Sequence, residues 1–104
     1  MYILTIHYPN AEGATFDFDY FRTKHLPEVG NAFRPFGLGY ASVLRGEHSL
    51  DGKAPGYFVI MILSFRDEQA ARNAIASEGA KTVITDIANF TSATPVMQFN
   101  TSVS

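Results

Sequence analysis

The apolar positions of the chain change their period from one stretch to the next. In Tyr2–Tyr8, YILTIHY, both alternating sets carry apolar or β-branched side chains, with Tyr2, Leu4, Ile6 and Tyr8 on one side and Ile3, Thr5 and His7 on the other. This predicts a first strand covered on both faces. Pro9 and Asn10 end it, and the loop runs to Thr15. In the next stretch, FDFDYFRTKHLP over residues 16–27, Phe18, Phe21 and His25 recur at i, i+3 and i+7, while Asp19, Arg22 and Thr23 point elsewhere. A helix is predicted, with an imidazole on its apolar face. Asp17 is placed to accept from the open N–H groups of the first turn, and Asp19 puts a second negative charge near the positive end of the helix dipole. Phe16 and Phe21 have the spacing of a hydrophobic staple. Pro27 disfavours helical geometry at Leu26, so the helix is predicted to end or kink there and a second piece to run from Pro27 to Phe33.

Pro35 and Gly37 stop that piece, and the weak alternation of Gly39–Arg45 predicts a second strand. A polar connection, Gly46 to Gly56, leads to Tyr57–Phe65, YFVIMILSF, the most hydrophobic run and therefore a central strand. Asp67 is a cap for a helix whose narrow stripe of Ala70, Ala71, Ala74 and Ile75 can lie close to a sheet, with Gly79 as its end. A further piece, Lys81 to Ala88, is predicted to turn Ile84 and Ile87 inward. Asn89 to Thr94 forms a turn, and Pro95 to Val103 a fourth strand.

The order β-α-β-β-α-β is that of a ferredoxin-like α+β fold, a four-stranded antiparallel sheet with helices on one face. The second face of that sheet is also apolar on strands 1 and 3, too large an area to leave wet. A homodimer through the open sheet faces is the predicted solution. The 104 residues fit a single domain, 1–104.

Charge and composition remove several classes of function. A net charge of −2 with no basic run offers no footprint for nucleic acid or anionic lipid. The absence of cysteine excludes thiolate chemistry and fits a reducing compartment. The N-terminus has no charged n-region and too short an apolar run to span a membrane, so the cytoplasm is the expected location. His7, His25 and His48 are far apart and belong to no ligand cluster, so no metal is expected. No phosphate-binding loop, dinucleotide fingerprint or nucleophile elbow occurs, and no organic cofactor is demanded.

What remains is a polar set among aromatic rings. His25 and Tyr20 are the catalytic candidates, His25 as general acid or base and Tyr20, with Asn89, as a hydrogen-bonding partner of a carbonyl or phenol oxygen. Phe18, Phe21, His7, Tyr8, Asn89 and Thr91 are the candidates for holding a hydrophobic, oxygen-bearing small molecule between helices and sheet. Each also has a structural reading: His25 as a tie across the helix break, Tyr20 on a helix surface, Asn89 as a turn cap and Gln98 as a sheet-edge bond.

Tyr8-Pro9-Asn10 with Glu12-Gly13, Phe16-Asp17, Asp19-Tyr20, His25-x-Pro27 and Asp86-Ile87-x-Asn89-Phe90-Thr91, followed by Pro95 and Gln98, resembles the short proteins of the EthD family. The likeness runs nearly end to end. It implies a ferredoxin-like subunit in a dimeric α+β barrel, with His25 at the family's histidine. Many members carry Tyr or Trp where this chain has Phe21, which removes one hydroxyl. Members are often labelled reductases, and related barrels include cofactor-free oxygenases, isomerases, cyclases and haem-degrading enzymes, so the fold leaves the reaction open. Two functions are carried forward, a small homodimeric enzyme of oxidoreductase type and a non-catalytic binding or accessory protein. A third reading has a packed interior and function at the dimer surface.

Overall fold

In the computed structural model, which describes residues 1–104, the two most apolar segments form the centre of one sheet. Strand β1 (Tyr2–Pro9) lies beside β3 (Tyr57–Phe65), with β2 (Leu38–Arg45) and β4 (Val96–Asn100) at the edges. The order is β2-β3-β1-β4 and every pair is antiparallel, the ferredoxin-like α+β arrangement. Strand β4 is shorter at both ends than its sequence pattern suggested. No helix is long and apolar enough to cross a membrane.

Alternation assigns the two faces. Leu4, Ile6 and Tyr8 of β1 and Val59, Met61, Leu63 and Phe65 of β3 are buried under the helices. The other face carries rows such as Leu44, Ile60, His7 and Val96, then Ser42, Ile62, Thr5 and Gln98. No element of the chain covers it, and Val96 and Leu44 are about half exposed. At the end of β1, Tyr8 pairs with Val59 but Pro9 with Tyr57, which leaves Phe58 as the extra residue of a bulge. Phe58 packs against Phe16 and Phe18, at 5.4 and 6.4 Å between ring centroids.

Helix α1, residues 18–33, departs from expectation at one place. Asp17 caps it, accepting from the Tyr20 N–H at 3.0 Å, and the Phe16 and Phe21 rings meet at 5.2 Å as a staple. The predicted break at Leu26–Pro27 is replaced by a π-helical turn, Phe21–His25, after which Leu26–Phe33 continues as α-helix. Leu26 keeps helical angles and donates its N–H to the Phe21 carbonyl five residues back. Proline has no N–H to give and its ring crowds the carbonyl four residues earlier. One extra residue in the preceding turn accommodates it without breaking the helix. The wider turn keeps Phe21 and His25 buried, whereas Phe18 is only half-buried.

Helix α2 (Glu68–Ile75) starts at Asp67, which accepts from Ala70 N–H at 2.8 Å. It stops well before Gly79 because Ser77 caps a new helix, α3 (Glu78–Asp86). Gly79 is therefore not a terminator. A Cβ there would stand 3.0 Å from the Ala32 Cβ, so the glycine permits the close approach of α3 to α1. The stripe that α3 buries is Ala80, Val83 and, just past its end, Ile87, so Ile84 falls beside that stripe and is 48% exposed, while Ile87 is buried as predicted.

Candidate functional site

The start of α1 is tied to the segment that follows α3. Phe16 and Thr91 form an isolated β-bridge, and the Asp17 N–H donates to the Phe90 carbonyl at 2.7 Å. This brings residues more than sixty positions apart around Asp86, the last residue of α3. Tyr20 Oη donates to Asp86 Oδ1 at 2.6 Å, Asn89 Nδ2 donates to the same oxygen at 3.0 Å, and His25 Nδ1 lies 2.9 Å from Oδ2. Burial alone raises the pKa of such a carboxyl. The hydrogen bonds from Tyr20, Asn89 and His25 outweigh burial and hold Asp86 at about 2. The same bond, with burial and the charge of Asp86 adding to it, pushes the Tyr20 phenol upward.

An unfolded aspartate titrates near 3.9. Because the folded value lies lower, this carboxylate stabilises the fold fully above about pH 4, and the contribution is lost as pH falls through about 2. Thermal melts between pH 5 and pH 2 are expected to show the wild type losing stability in that window, with a smaller loss in Asp86→Asn.

An ionised carboxylate only accepts, so Nδ1 is the donating nitrogen of His25. In the neutral ring Nε2 then holds a lone pair, and it has no hydrogen-bond partner within the chain. The imidazole is 1% exposed, stacked on Phe21 at 5.6 Å and tilted against Phe90 at 4.5 Å between centroids. A carboxylate-oriented imidazole with one free basic nitrogen is a proton acceptor in a low-dielectric setting.

Beside it on β1, Tyr8 is fully buried, and its hydroxyl is a buried side-chain polar atom without a partner. Burial, and secondarily the charge of Asp86, raise this phenol well above the ordinary range. An orphaned buried hydroxyl costs about 1–3 kcal/mol. Tyr8→Phe is therefore expected to raise the melting temperature by several degrees, checked by differential scanning calorimetry; an unchanged or lower value would show that the hydroxyl is satisfied.

The ligand-sized pocket predicted around His25 is absent. The hollow that His25 and Tyr8 share has a volume of about 20 Å³, because Leu4, Ile6, Phe33, Val83 and Ile87 close in on it. That is room for a water molecule. A groove of about 280 Å³ lies instead between α1 and the strands β2 and β3, lined by Phe18, Phe21, Leu26, Val43 and Val59 with Asp19, Arg22 and Arg45. Phe21 belongs to both places, lining the groove and stacking on His25.

Of the predicted residues, His25, Tyr20 and Asn89 converge on Asp86, and Tyr8 and Phe21 flank His25, whereas Phe18 lies apart from that group, against Phe16, Phe58 and Arg45 in the groove. His7 does not join them. It lies on the opposite face of the sheet, in the row of Ile60 and Val96, edge-on to Tyr57 at 5.4 Å. Alternation along β1 separates it from Tyr8 by construction. Thr91 is buried as a clasp, donating to the Thr15 carbonyl at 2.6 Å and accepting from the Ala93 N–H at 3.0 Å. Gln98 is exposed and donates to Asn100 Oδ1 at 2.6 Å. With Asn89, Thr91 also lines a separate surface depression of about 420 Å³.

Asp86 carries no role in the sequence reading. A carboxylate on the last turn of a helix faces the negative end of the dipole, and its being there at all signals compensating donors. Ligand atoms of His25, Glu28 and Asp86 lie within 4.8 Å of one another. As arranged, Asp86 is already occupied by three donors and His25 Nδ1 points a proton at it, so an ion would have to displace those bonds.

No family model and no curated protein matches the chain. Solved structures do. An EthD-like protein from Ralstonia eutropha is 28% identical, with 99% of this chain and 92% of that one covered and a TM-score of 0.85. An ethyl tert-butyl ether d (ethd) family protein from Bacillus halodurans is 19% identical, with 99% of each chain covered and a TM-score of 0.78. SnoaB, a cofactor-independent oxygenase from Streptomyces nogalater, shares the fold at 16% identity, covering 99% of this chain and 94% of that one, with a TM-score of 0.69.

Proposed function

We propose, from the premise that this chain has the EthD-family fold, that it is a homodimeric enzyme of oxidoreductase type acting on a hydrophobic, oxygen-bearing small molecule, with His25 as its base. The observation that carries this reading is the Asp86–His25 pair: Nδ1 is fixed at 2.9 Å, and Nε2 is left unpartnered in an apolar surround. His25 Nε2 takes a proton from an acidic C–H or O–H of the substrate, and Asp86 stabilises the imidazolium that forms. The substrate's body occupies the groove beside α1, and the Phe21 ring is the partition it must displace to meet His25. Tyr20 positions Asp86, and the free Tyr8 hydroxyl is a donor for the oxygen of the substrate.

The test is oxygen consumption with a panel of apolar phenols, hydroquinones and ketones. His25→Gln is expected to lower kcat about 100-fold or more on any substrate the wild type turns over. An unchanged kcat removes His25 from the mechanism.

A second reading is a non-catalytic binding protein, favoured by the small hollow at His25 and by the lack of an acid or base other than Asp19 in the larger groove. Ligand binding without turnover, identical in His25→Gln, would establish it. The dimer reading is supported by the uncovered sheet face with Ile3, Ile60, Ile62 and Leu44, and the cytoplasmic one by a chain free of cysteine.

A further inference from the structure

The groove between α1 and the edge strand β2 has an apolar floor and a cationic rim. Arg45, the last residue of β2, holds its guanidinium carbon 3.8 Å from the centre of the Phe18 ring. It enters no ion pair, so no carboxylate compensates its charge. Arg22 on the facing helix is paired only with Asp19, at 3.6 Å between two strongly exposed side chains, an interaction that costs little to break. Two guanidinium groups and one carboxylate therefore surround five apolar side chains, a net positive rim over a hydrocarbon surface. The volume of about 280 Å³ lies near the lower end of the range for small-molecule sites.

We infer that this groove binds an apolar organic anion, a carboxylate or ionised phenol, with its hydrocarbon body against Phe18, Phe21 and Val43 and its charged oxygens on Arg45. A planar guanidinium held against an aromatic ring presents its remaining N–H fork to a carboxylate without first losing another partner. Stacking on Phe18 also limits the side-chain freedom that binding would otherwise have to remove. The inference rests on the reading of this groove as the substrate's place and adds what that substrate carries, an anionic group.

Isothermal titration calorimetry with 1-naphthoate and with the neutral 1-naphthalenemethanol tests it. The wild type is expected to bind the anion roughly tenfold more tightly than the alcohol, the scale of one charge-assisted hydrogen bond at a partly wet site. Arg45→Gln is expected to remove that preference and to leave the affinity for the alcohol unchanged. Val43→Trp, a substitution at the exposed edge that fills the groove, should abolish binding of both, with circular dichroism confirming the fold. Equal affinities in the wild type, a preference that survives Arg45→Gln, or no binding of either probe would each overturn the inference. His25→Gln separates the two proposals. Binding preference without His25-dependent turnover overturns the catalytic reading alone, and His25-dependent turnover without the preference overturns this one alone.

Discussion

Asp86→Ala is expected to destabilise the protein by about 3–5 kcal/mol, the range found when one partner of a buried ionic network is removed. The substitution leaves the Tyr20 hydroxyl, the Asn89 amide and the His25 Nδ1–H without their common acceptor. A protein of about a hundred residues has only about 5–15 kcal/mol in total. The melting temperature should therefore fall by more than about 10 °C at neutral pH, read by calorimetry or circular dichroism. Asp86→Asn separates stability from chemistry. Its carbonyl oxygen can still accept from Tyr20, so the loss of stability is smaller. Its amide, however, turns donors toward His25 Nδ1 and drives the ring proton to Nε2, so turnover should fall as far as in His25→Gln. A variant that melts like the wild type after Asp86→Ala would mean that the pair is ornamental to the fold.

Ile62→Asp is expected to convert the protein from a species of twice 11.5 kDa to one of 11.5 kDa in light scattering behind a sizing column. Ile62 sits in the middle of the uncovered face, between Ser42 and Thr5 in the ladder. In a face-to-face dimer two such carboxylates would be buried without partners, which association cannot offset. In the isolated subunit the same change is a surface substitution with little effect on stability. The melting curve should therefore survive where the dimer does not. A wild-type subunit that runs as a monomer at micromolar concentration would contradict this arrangement.

The sheet was legible because its signals are local. Alternation in Tyr2–Tyr8, the strongly apolar run Tyr57–Phe65 and the turn residues between them specify strands whose pairing the βαββαβ order then leaves almost no choice about. The caps Asp17 and Asp67 were legible for the same reason, since each acts on a backbone N–H three residues away. The π turn was not, because a proline at Pro27 argues for a break, and one inserted residue satisfies the same steric demand while keeping the helix whole. Ile84 and Ile87 stand three residues apart on neighbouring faces, and only packing shows that the buried stripe runs through Ala80, Val83 and Ile87 and leaves Ile84 at its edge.

Half of the candidate site could be read and half could not. The helical spacing that put His25 on an apolar face also predicted its burial. Its partner Asp86 is 61 residues further on, and nothing in the local pattern pairs them. His7 shows the complementary error. Its chemistry suits a place beside Tyr8, but adjacent residues of a strand cannot share a face. Closure of the space around His25 depends on how six or more side chains interdigitate, a property of packing that composition does not encode.

The most direct measurement is the protonation state of the His25 ring, read from two-bond ¹H–¹⁵N correlations of ring-labelled protein at a pH high enough to give the neutral imidazole. The Asp86–His25 pairing predicts a proton on Nδ1, facing Asp86, and an unprotonated Nε2, with the pattern reversed in Asp86→Asn. A proton found on Nε2 in the wild type would contradict it, since the ring would then offer no basic nitrogen to a substrate.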